Sequence, residues 1–366
     1  MWLVEVSPMS TNPKFIGVDL FAGAGGLSLG AEMANVNVVL AVEKDKFAAA
    51  TYARNHPTTT VINEDISNIS KIDITSSAQR ILFGGPPCQG FSYSNQKTRS
   101  KDNPNNWLLK EFIRIMGVWK PDWVVFENVC GFINTEKKLF LNQLLNDFGD
   151  KEYTCSWNVL NAQDFSVPQK RSRFFLIASR HGKKVSFPIP KKGNSIVSVD
   201  QAIADLPHLS NGSRADYLEY SCEATNNYAK YLRKNTKGCT GHLVTQNSDL
   251  VIERYRHVPP GGNWKDIPER LMENYTDRNR CHTGIYHRLN PNEPAVTIGN
   301  YRKAMLIHPR ENRGLSVREA ARLQSFPDSY EFKGSIGFQQ QQVGNAVPPF
   351  LARAVFNIIT NGDYHI

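Results

Sequence analysis

The sequence predicts an α/β protein with an open, doubly wound sheet of the Rossmann type, and three observations support this fold class. Short apolar strands alternate with helical segments from Phe15 to about Ala178. A glycine-rich turn, Ala22–Gly30, joins the first strand to the first helix. From about His181 to Tyr286 the alternation stops, and Pro, Gly, Asn, Ser and Tyr become frequent. This pattern predicts a nucleotide-binding domain followed by a second, irregular region.

Length and composition set broad bounds. The 366 residues suffice for two domains of ordinary size, with 40% hydrophobic and 21% charged residues as in a soluble globular protein. No apolar run approaches the ~20 residues that a membrane span needs, and residues 1–14 lack the order of a secretory signal. The six cysteines include no CxxC pair, so we expect no metal site, no disulfide framework and a reducing, cytoplasmic location.

The first strand–turn–helix unit has the features of a site for an adenosine-containing ligand. The apolar run Phe15–Phe21 leads into Gly23 and Gly25. Glycines let a ligand approach the backbone closely, and a helix N terminus offers free N–H groups. A dinucleotide-dependent dehydrogenase is the alternative, but the GxGxxG spacing needs a glycine at position 28, where the chain has Ser28.

Acidic residues follow the next two strands. Glu43 ends the predicted strand Val36–Val42, where a carboxylate can accept hydrogen bonds from both hydroxyls of a ribose. Asp65 follows the third strand, where it can meet an adenine amino group.

A lone cysteine, Cys88, stands at the tip of a stiff loop. The apolar strand Ile81–Phe83 runs into two glycines and two prolines, and the prolines restrict the backbone that carries the thiol. Open α/β sheets bind ligands at this end of their strands. The alternative is a small buried hydrophobe. The polar stretch Ser92–Asn106 that follows is predicted to be a loop, and loops of this length are often functional lids.

A carboxylate, Glu127, ends the fifth predicted strand, Trp123–Phe126, which follows a predicted helix over Trp107–Met116. The neighbouring strands in sequence therefore bring a thiol and a carboxylate to one edge. A helix cap or a surface charge is the alternative for Glu127.

Another strand is predicted over Val167–Ala178. Period-two alternation would place Gln169, Arg171 and Arg173 on one face, a donor-rich set that suits an anion or a carbonyl-bearing base. A plain basic edge strand is the alternative.

Positive charge is concentrated in the irregular region. The formal net charge is +9, and Arg180–Arg310 holds 20 Lys and Arg against 12 Asp and Glu. Interleaved with Tyr and Trp, these residues suit nucleic acid, although a solvated basic surface would have the same composition.

Regular structure is predicted again near the C terminus. Ser316 and Glu319 form a capping box at a helix start, Pro327 stops that helix, and Gln342–Pro349 makes a tight turn into a last helix, Phe350–Ile359.

Six segments together resemble the C5-cytosine DNA methyltransferase family, in its bacterial and phage restriction-modification form. In chain order they are Asp19–Gly26, Gly85–Ser92, Glu127–Val129, the Gln169/Arg171/Arg173 set, Arg318–Pro327 and Gly344–Pro349. They cover almost the whole chain in the family's order.

The resemblance implies methyl transfer from S-adenosyl-L-methionine to C5 of a cytosine, with S-adenosyl-L-homocysteine as product. Cys88 is the expected nucleophile towards C6, and Glu127 the group that protonates or hydrogen-bonds N3. Arg173 would contact O2, and Arg171 would order the site. The residues that the resemblance assigns to the cofactor are Asp19, Phe21, Ala22, Gly23, Gly25, Gly26, Leu27, Glu43, Asp65, Ile66, Pro86, Asn345 and Ala346.

The expected partner is double-stranded DNA, with the cytosine flipped out of the helix. The resemblance assigns DNA contacts to Gln89, Ser92, Gln169 and basic residues within 181–330, and the Ser92–Asn106 loop would close over the DNA. It also implies a discontinuous catalytic domain, residues 1–180 plus 337–366, and a target-recognition domain over 181–336. A monomer is expected. A cognate restriction endonuclease would act on the same site without direct contact.

Two positions depart from the family pattern. Lys44 follows Glu43 where many members carry an apolar residue against the adenine, and Pro104 replaces an arginine two residues after Asp102. A tRNA cytosine methyltransferase on the same fold is one alternative, disfavoured by Gly90 and Ser92 where those enzymes carry Pro and Thr. A DNA-binding protein without activity is another, disfavoured by the intact Cys88.

Overall fold

A computed structural model describes residues 2–6, 13–87, 106–134, 139–188, 196–234, 236–275, 284–299, 301–362 and 364–365. The chain divides into two compact units. The first is Met1–Asn161, Ser172–Lys192 and Pro349–Ile366, and the second is Ala162–Arg171 and Gly193–Pro348. Residues 162–171 and 337–348, which the boundaries expected from sequence place in the catalytic domain, therefore cluster with the second unit.

The strands of the first unit are β1 (Trp2–Val6), β2 (Phe15–Leu20), β3 (Asn37–Val42), β4 (Thr60–Ile62), β5 (Ile69–Ile74), β6 (Gln79–Gly84), β7 (Trp123–Val129), β8 (Thr154–Asn161), β9 (Ser172–Ser179) and β10 (Lys184–Val185), with the last strand of the chain at Tyr364–His365. Its helices are α1 (Gly26–Met33), α2 (Lys46–Asn55), α3 (Asn106–Trp119), α4 (Gly131–Asn134) and α5 (Leu139–Gly149), with the last helix of the chain at Pro349–Thr360.

The second unit contributes α6 (Val199–Ile203), β11 (Leu218–Glu219), α7 (Asn227–Arg233), β12 (Gly238–Cys239), α8 (Asp249–His257), α9 (Val317–Leu323) and α10 (Ile336–Asn345). The last helix of the chain, which returns to the first unit, is α11, and the strand after it is β13.

A seven-stranded sheet organises the first unit, in the order β4-β3-β2-β6-β7-β9-β8. The five strands from β4 to β7 pair in parallel, whereas β9 pairs antiparallel with both β7 and β8. The α/β fold class is confirmed, including a second unit that enters the chain before the last helix.

Helices cover both faces of this sheet. Leu82 and Phe126 lie in one core with Phe112 of α3, whose ring meets Phe126 edge to face at 5.6 Å. On the other face Phe83 meets Phe356 of α11 at 5.0 Å. Gly30 lets α11 approach α1, since a Cβ there would lie 2.3 Å from the Cβ of Ala352. The Rossmann-type layering follows from these alternating apolar positions.

Two predicted strand boundaries were wrong. β7 continues through Glu127 to Val129 instead of ending at Phe126, because the antiparallel partner β9 extends its ladder. β9 begins at Ser172 rather than Val167. The residues before it form a 3-10 turn, Ala162–Phe165, followed by Ser166 in the left-handed conformation and by Pro168, which cannot donate to a ladder.

Near the C terminus the capping box at α9 is confirmed. The Ser316 hydroxyl accepts from the N–H of Glu319, and the Glu319 carboxylate accepts from the N–H of Ser316. The turn predicted from Gln342 was wrong in its first part, because Gln342–Asn345 form the last turn of α10.

The second unit has its own smaller core, in which Tyr255, Trp264, Tyr286 and Ile307 are buried together. Within the described ranges, no helix combines the length and the apolar character that a membrane crossing requires.

Candidate active site

The Glu127–Arg173 pair lies where β7 and β9 run side by side. Arg173 Nε is 3.0 Å from Glu127 Oε1, and both side chains are mostly buried. Glu127 is opposite Phe175 in the ladder and Val129 is opposite Arg173, so the carboxylate and the guanidinium are diagonal neighbours on one face. The antiparallel direction of β9 brings its first residues to the edge where β7 ends.

The end of β6 passes directly beside this carboxylate. A Cβ on Gly85 would lie 2.5 Å from Glu127 Oε2, so any larger residue would have to displace this carboxylate. The next carbonyl, that of Pro86, accepts a hydrogen bond from Asn128 Nδ2 at 3.3 Å. The strand that leads towards Cys88 is thereby fixed against the strand that carries Glu127.

Asp19 closes the C-terminal end of β2 in a buried hydrogen-bond chain. Its Oδ2 accepts from the Ser28 hydroxyl at 2.6 Å, and Ser28 accepts from the Tyr52 hydroxyl at 2.6 Å. Burial raises the pKa of Asp19 well above its usual range, although the Ser28 hydrogen bond acts in the opposite direction. Asp19 Oδ1 is buried and has no hydrogen-bond partner among the described residues.

The predicted succession of strand, glycine-rich turn and helix is confirmed at β2 and α1. Phe21, Gly23 and Gly25 all have positive φ angles, of 60°, 55° and 86°. Gly25 is the N-cap of α1 and its N–H donates to Ala22 O. Gly26 and Leu27 are the first residues of α1 and are buried.

Glu43 faces that turn from the end of β3. Its Oε2 accepts from the Gly23 N–H at 2.8 Å and its Oε1 from the Asp45 N–H at 2.7 Å. Burial raises the pKa of Glu43, and the two backbone hydrogen bonds oppose that rise. The carboxylate therefore has a fixed orientation beside the turn.

Asp65 follows β4 and caps the 3-10 turn Ile66–Asn68. Its Oδ1 accepts from the backbone N–H and the hydroxyl of Ser67, while Lys44 Nζ lies 2.7 Å from its Oδ2. Burial acts to raise the pKa of Asp65, but the hydrogen bonds from Lys44 and Ser67 bring it below its usual value. Ile66 is buried.

Gln169 and Arg171 do not share a strand face with Arg173, which corrects that prediction, since both precede β9 and belong to the second unit. Gln169 is fully buried: its amide donates to Leu323 O and Gln324 Oε1 and accepts from Ile298 N. The assignment of Gln169 as a DNA-contacting side chain finds no support in these contacts.

Arg171 is also buried, and its guanidinium donates to four backbone carbonyls. They belong to Ile298, Gly344, Asn345 and Ala346, at 3.0 to 3.4 Å. The predicted part of Arg171 in ordering the site stays a prediction. Asn345 and Ala346 lie in the second unit here, and their predicted part in cofactor binding stays a prediction.

A family model of C-5 cytosine-specific DNA methylases matches residues 15–361. The chain belongs to this family. It is a DNA (cytosine-5)-methyltransferase of the kind found in Type II restriction-modification systems.

Individual relatives agree with the family. The chain is 33% identical to the Type II methyltransferase M.DdeI of Desulfomicrobium norvegicum, over 92% of this chain and 86% of that protein. It is 35% identical to M1.HphI of Haemophilus parahaemolyticus, over 92% and 84%. A crystal structure of a candidate DNA modification methyltransferase encoded within an E. coli prophage matches with a TM-score of 0.75 and 27% identity, over 95% of this chain and 99% of that one.

Three predicted residues of the methyltransferase, Cys88, Gln89 and Ser92, lie outside the described residues, as does most of the predicted loop Ser92–Asn106. The described part of the chain contains no group of three or more His, Cys, Asp and Glu side chains that could hold a metal ion.

A buried charge network in the second unit was missed from sequence. Arg322 is fully buried and donates to Asp205 Oδ1 and to both carboxylate oxygens of Asp328 at 2.6 to 2.9 Å. Arg313 donates to both oxygens of Glu319, which is also buried. The available signal was the clustering of Arg and acidic residues at helical spacing in Arg313–Asp328, which composition alone does not distinguish from a solvated helix face.

Some of the basic residues within 181–330 that were assigned to DNA are likewise internal. Arg233, Arg254 and Arg288 are each less than a tenth exposed and donate to backbone carbonyls. Exposed lysines such as Lys230 and Lys237 stay candidates for phosphate contacts.

Proposed function

We propose that the methyltransferase transfers a methyl group from S-adenosyl-L-methionine to C5 of a flipped-out cytosine in a specific double-stranded DNA sequence, through a covalent Cys88–C6 intermediate. The Glu127–Arg173 pair is the observation that carries this proposal. Glu127 of this pair lies beside Gly85, which is three residues before Cys88 in the chain, and Arg173 holds the Glu127 carboxylate.

The residues at the ends of β2, β3 and β4 fit the methyl donor. Glu43 is already oriented by two backbone N–H groups and keeps acceptor capacity for ribose hydroxyls. Asp19 Oδ1 is a buried acceptor without a partner in the described chain, which fits a donor-rich ligand. Asp65, followed by the buried Ile66, suits the amino group and the ring of adenine. When bound, S-adenosyl-L-methionine supplies an electrophilic methyl group.

The chemistry needs a nucleophile and a proton near N3. The Cys88 thiolate adds to C6, so the C5 carbon gains the electron density with which it takes the methyl group. The C5 proton then leaves to water and the C6–sulfur bond breaks, which restores the thiolate and the aromatic ring.

Glu127 and Arg173 divide the remaining work. An arginine at 3.0 Å favours the carboxylate form of Glu127. When Arg173 instead donates to O2 of the cytosine, Glu127 loses part of this counter-charge and its affinity for a proton rises. Glu127 can then hold the proton that it shares with N3 during thiolate attack.

DNA binding is assigned to both parts of the chain. Gln89 and Ser92 follow the nucleophile, and exposed basic residues within 181–330 would contact phosphates, so binding should weaken steeply with salt. We also propose that the protein acts as a monomer on prokaryotic DNA. A restriction endonuclease would recognise the same site without touching it.

Replacement of Cys88 tests the nucleophile. Cys88→Ser should abolish methyl transfer while duplex binding, measured by fluorescence anisotropy, persists. Cys130→Ser, which removes a half-buried thiol two residues beyond Asn128, is the matched control and should retain turnover. Substantial methylation by Cys88→Ser would remove Cys88 from the mechanism.

A mechanism-based probe tests the covalent step. Duplex DNA containing 5-fluorocytosine at the target should form a stable adduct with the wild type, because the fluorine cannot leave as a proton does. The adduct should require S-adenosyl-L-methionine and be absent with Cys88→Ser. Bisulfite sequencing of DNA from expressing cells identifies the target, and a parallel tRNA assay with no methyl incorporation excludes the RNA alternative.

A further inference from the structure

Lys44 makes a direct contact with a residue of the proposed methyl-donor site. It follows Glu43 at the end of β3, and its ammonium lies 2.7 Å from Asp65 Oδ2 beyond β4. The Lys44 side chain is 75% exposed and that of Asp65 is 20% exposed. The pair therefore joins the ends of two adjacent strands at the edge where the donor is proposed to bind.

Residues at the end of the neighbouring strand, β4, hold the backbone of Lys44 in place. Asn63 Nδ2 donates to the carbonyls of Glu43 and Lys44 at 2.8 and 3.0 Å, and the Glu43 N–H donates to Ile62 O. These hydrogen bonds fix the position of the backbone from which the Lys44 side chain extends.

The remaining acceptor capacity of Asp65 follows from counting donors. An ionised carboxylate offers about four acceptor positions, two on each oxygen. Oδ1 receives two donors, the N–H and the hydroxyl of Ser67, and Oδ2 receives the Lys44 ammonium. The open position is therefore on Oδ2, the oxygen that Lys44 holds.

We propose that Lys44 is a positioning residue for methyl-donor binding, which orients Asp65 so that Oδ2 accepts the adenine amino group. This inference rests on the proposed function, because it takes S-adenosyl-L-methionine as the ligand. The ammonium and the adenine N–H share Oδ2, Ser67 fixes Oδ1, and the carboxylate cannot rotate without losing one of these contacts.

The test measures binding of S-adenosyl-L-homocysteine by isothermal titration calorimetry, without turnover. Exposed ion pairs are worth little, so Lys44→Met should raise Kd about threefold to fivefold. Asp65→Asn should raise it more, and the double variant should match Asp65→Asn alone. Lys44→Arg should retain most of the wild-type affinity, because arginine can make the same ion pair. Lys71→Met is the control, since Lys71 makes a surface ion pair with Asp73 in the same unit, with side chains 55% and 47% exposed, and it should leave Kd unchanged.

A modified ligand separates orientation from a general electrostatic or structural effect. S-inosylhomocysteine carries a carbonyl oxygen in place of the adenine amino group, so Lys44→Met should not weaken its binding. High salt should bring the Kd of Lys44→Met and wild type together for the adenosine ligand, because exposed charges are screened.

Two results would overturn the proposal: an unchanged Kd for S-adenosyl-L-homocysteine in Lys44→Met, or an equal loss for both ligands. Failure of the proposed function looks different. In that case the wild type itself would not bind S-adenosyl-L-homocysteine, and Glu43→Ala would change nothing.

Discussion

Backbone polar groups are satisfied differently in the two units. In the first, seven strands pair their N–H and C=O groups along regular ladders. In the second, short helices and irregular segments leave carbonyls that arginine side chains bind instead. The arginines that donate to backbone carbonyls there include Arg171, Arg233, Arg254, Arg288, Arg313, Arg318 and Arg322. The first unit uses the same device where the 3-10 turn Ile66–Asn68 meets β5, since Arg114 donates to Ile66 O and Ile69 O.

The difference shows that arginine in this methyltransferase partly replaces secondary structure. A guanidinium presents five donors in a fixed plane, so one side chain can satisfy several carbonyls that no ladder reaches. Of the basic residues counted between Arg180 and Arg310, at least Arg233, Arg254 and Arg288 serve this internal purpose. The surplus of positive charge in the sequence is thus larger than the charge available to DNA.

Breaking the buried network of the second unit should have the largest effect. Arg322→Met leaves Asp205 and Asp328 with less compensation, and removing one partner of a buried pair costs about 3 to 5 kcal/mol. Unfolding in urea, followed by circular dichroism, measures the loss. Arg256→Met removes an exposed pair with Glu253 and should change stability far less than Arg322→Met does. Equal losses of stability in the two variants would show that the buried arginine is no more important to the second unit than an exposed one.

Acid should weaken the second unit through His242. Burial, and then the charge of Arg318, lowers the pKa of His242 to about 4, and its Nε2 contacts the Cys239 thiol at 3.4 Å. The unfolded chain takes up this proton near pH 6.5 and the folded chain only near pH 4. Stability is therefore lost as pH falls between these values, by about 3 kcal/mol at full protonation.

Thermal unfolding at several pH values checks this, with His242→Gln as the variant that cannot titrate. Its stability should depend less on pH between 6.5 and 4 than that of the wild type. Asp19 in the first unit contributes the opposite pH dependence of stability. Because its pKa is raised in the folded protein, its contribution favours the folded state as pH falls. Parallel pH profiles for the variant and the wild type would exclude His242 as the cause.

The smallest of these effects concerns the first unit, where close backbone approach positions the site. Gly85→Ala would place a methyl group 2.5 Å from Glu127 Oε2, and overpacking of this kind costs about 1 to 3 kcal/mol. Methyl transfer should fall about tenfold or more through displaced Glu127, with little loss of duplex affinity. Gly149→Ala, where a Cβ meets nothing within 4 Å, is the control. Full activity in Gly85→Ala would show that the approach is not required.

Local patterns predicted much of the first unit. The β2–turn–α1 unit, Glu43 and the strand before Cys88 follow from apolar runs that end in glycine, proline or acid, and each signal lies within a few residues. The continuation of β7 through Glu127 could not be predicted in this way. A polar Glu-Asn pair resembles a strand end, and only the distant partner β9 makes it part of a ladder.

The contacts in the second unit were hardest to predict. Arg171 pairs with carbonyls more than a hundred residues away in the chain, and a buried arginine has the same sequence signature as an exposed one. The same holds for Lys44, whose contact with Asp65 depends on β3 and β4 being neighbours. Such contacts depend on which strands and segments the fold makes neighbours, and the composition shows only that the charged residues are present.

The pairing of β7 with β9 has a consequence for how the site is encoded. Val129 is opposite Arg173, and side chains alternate across a strand. A slip of one residue would bring Ser172 or Phe174 to that position and turn the guanidinium to the other face of the sheet. The Glu127–Arg173 pair, which we propose to be catalytic, is thus specified by hydrogen-bond register as much as by residue identity. An insertion or deletion of a single residue in β9 would silence the enzyme with every site residue still present.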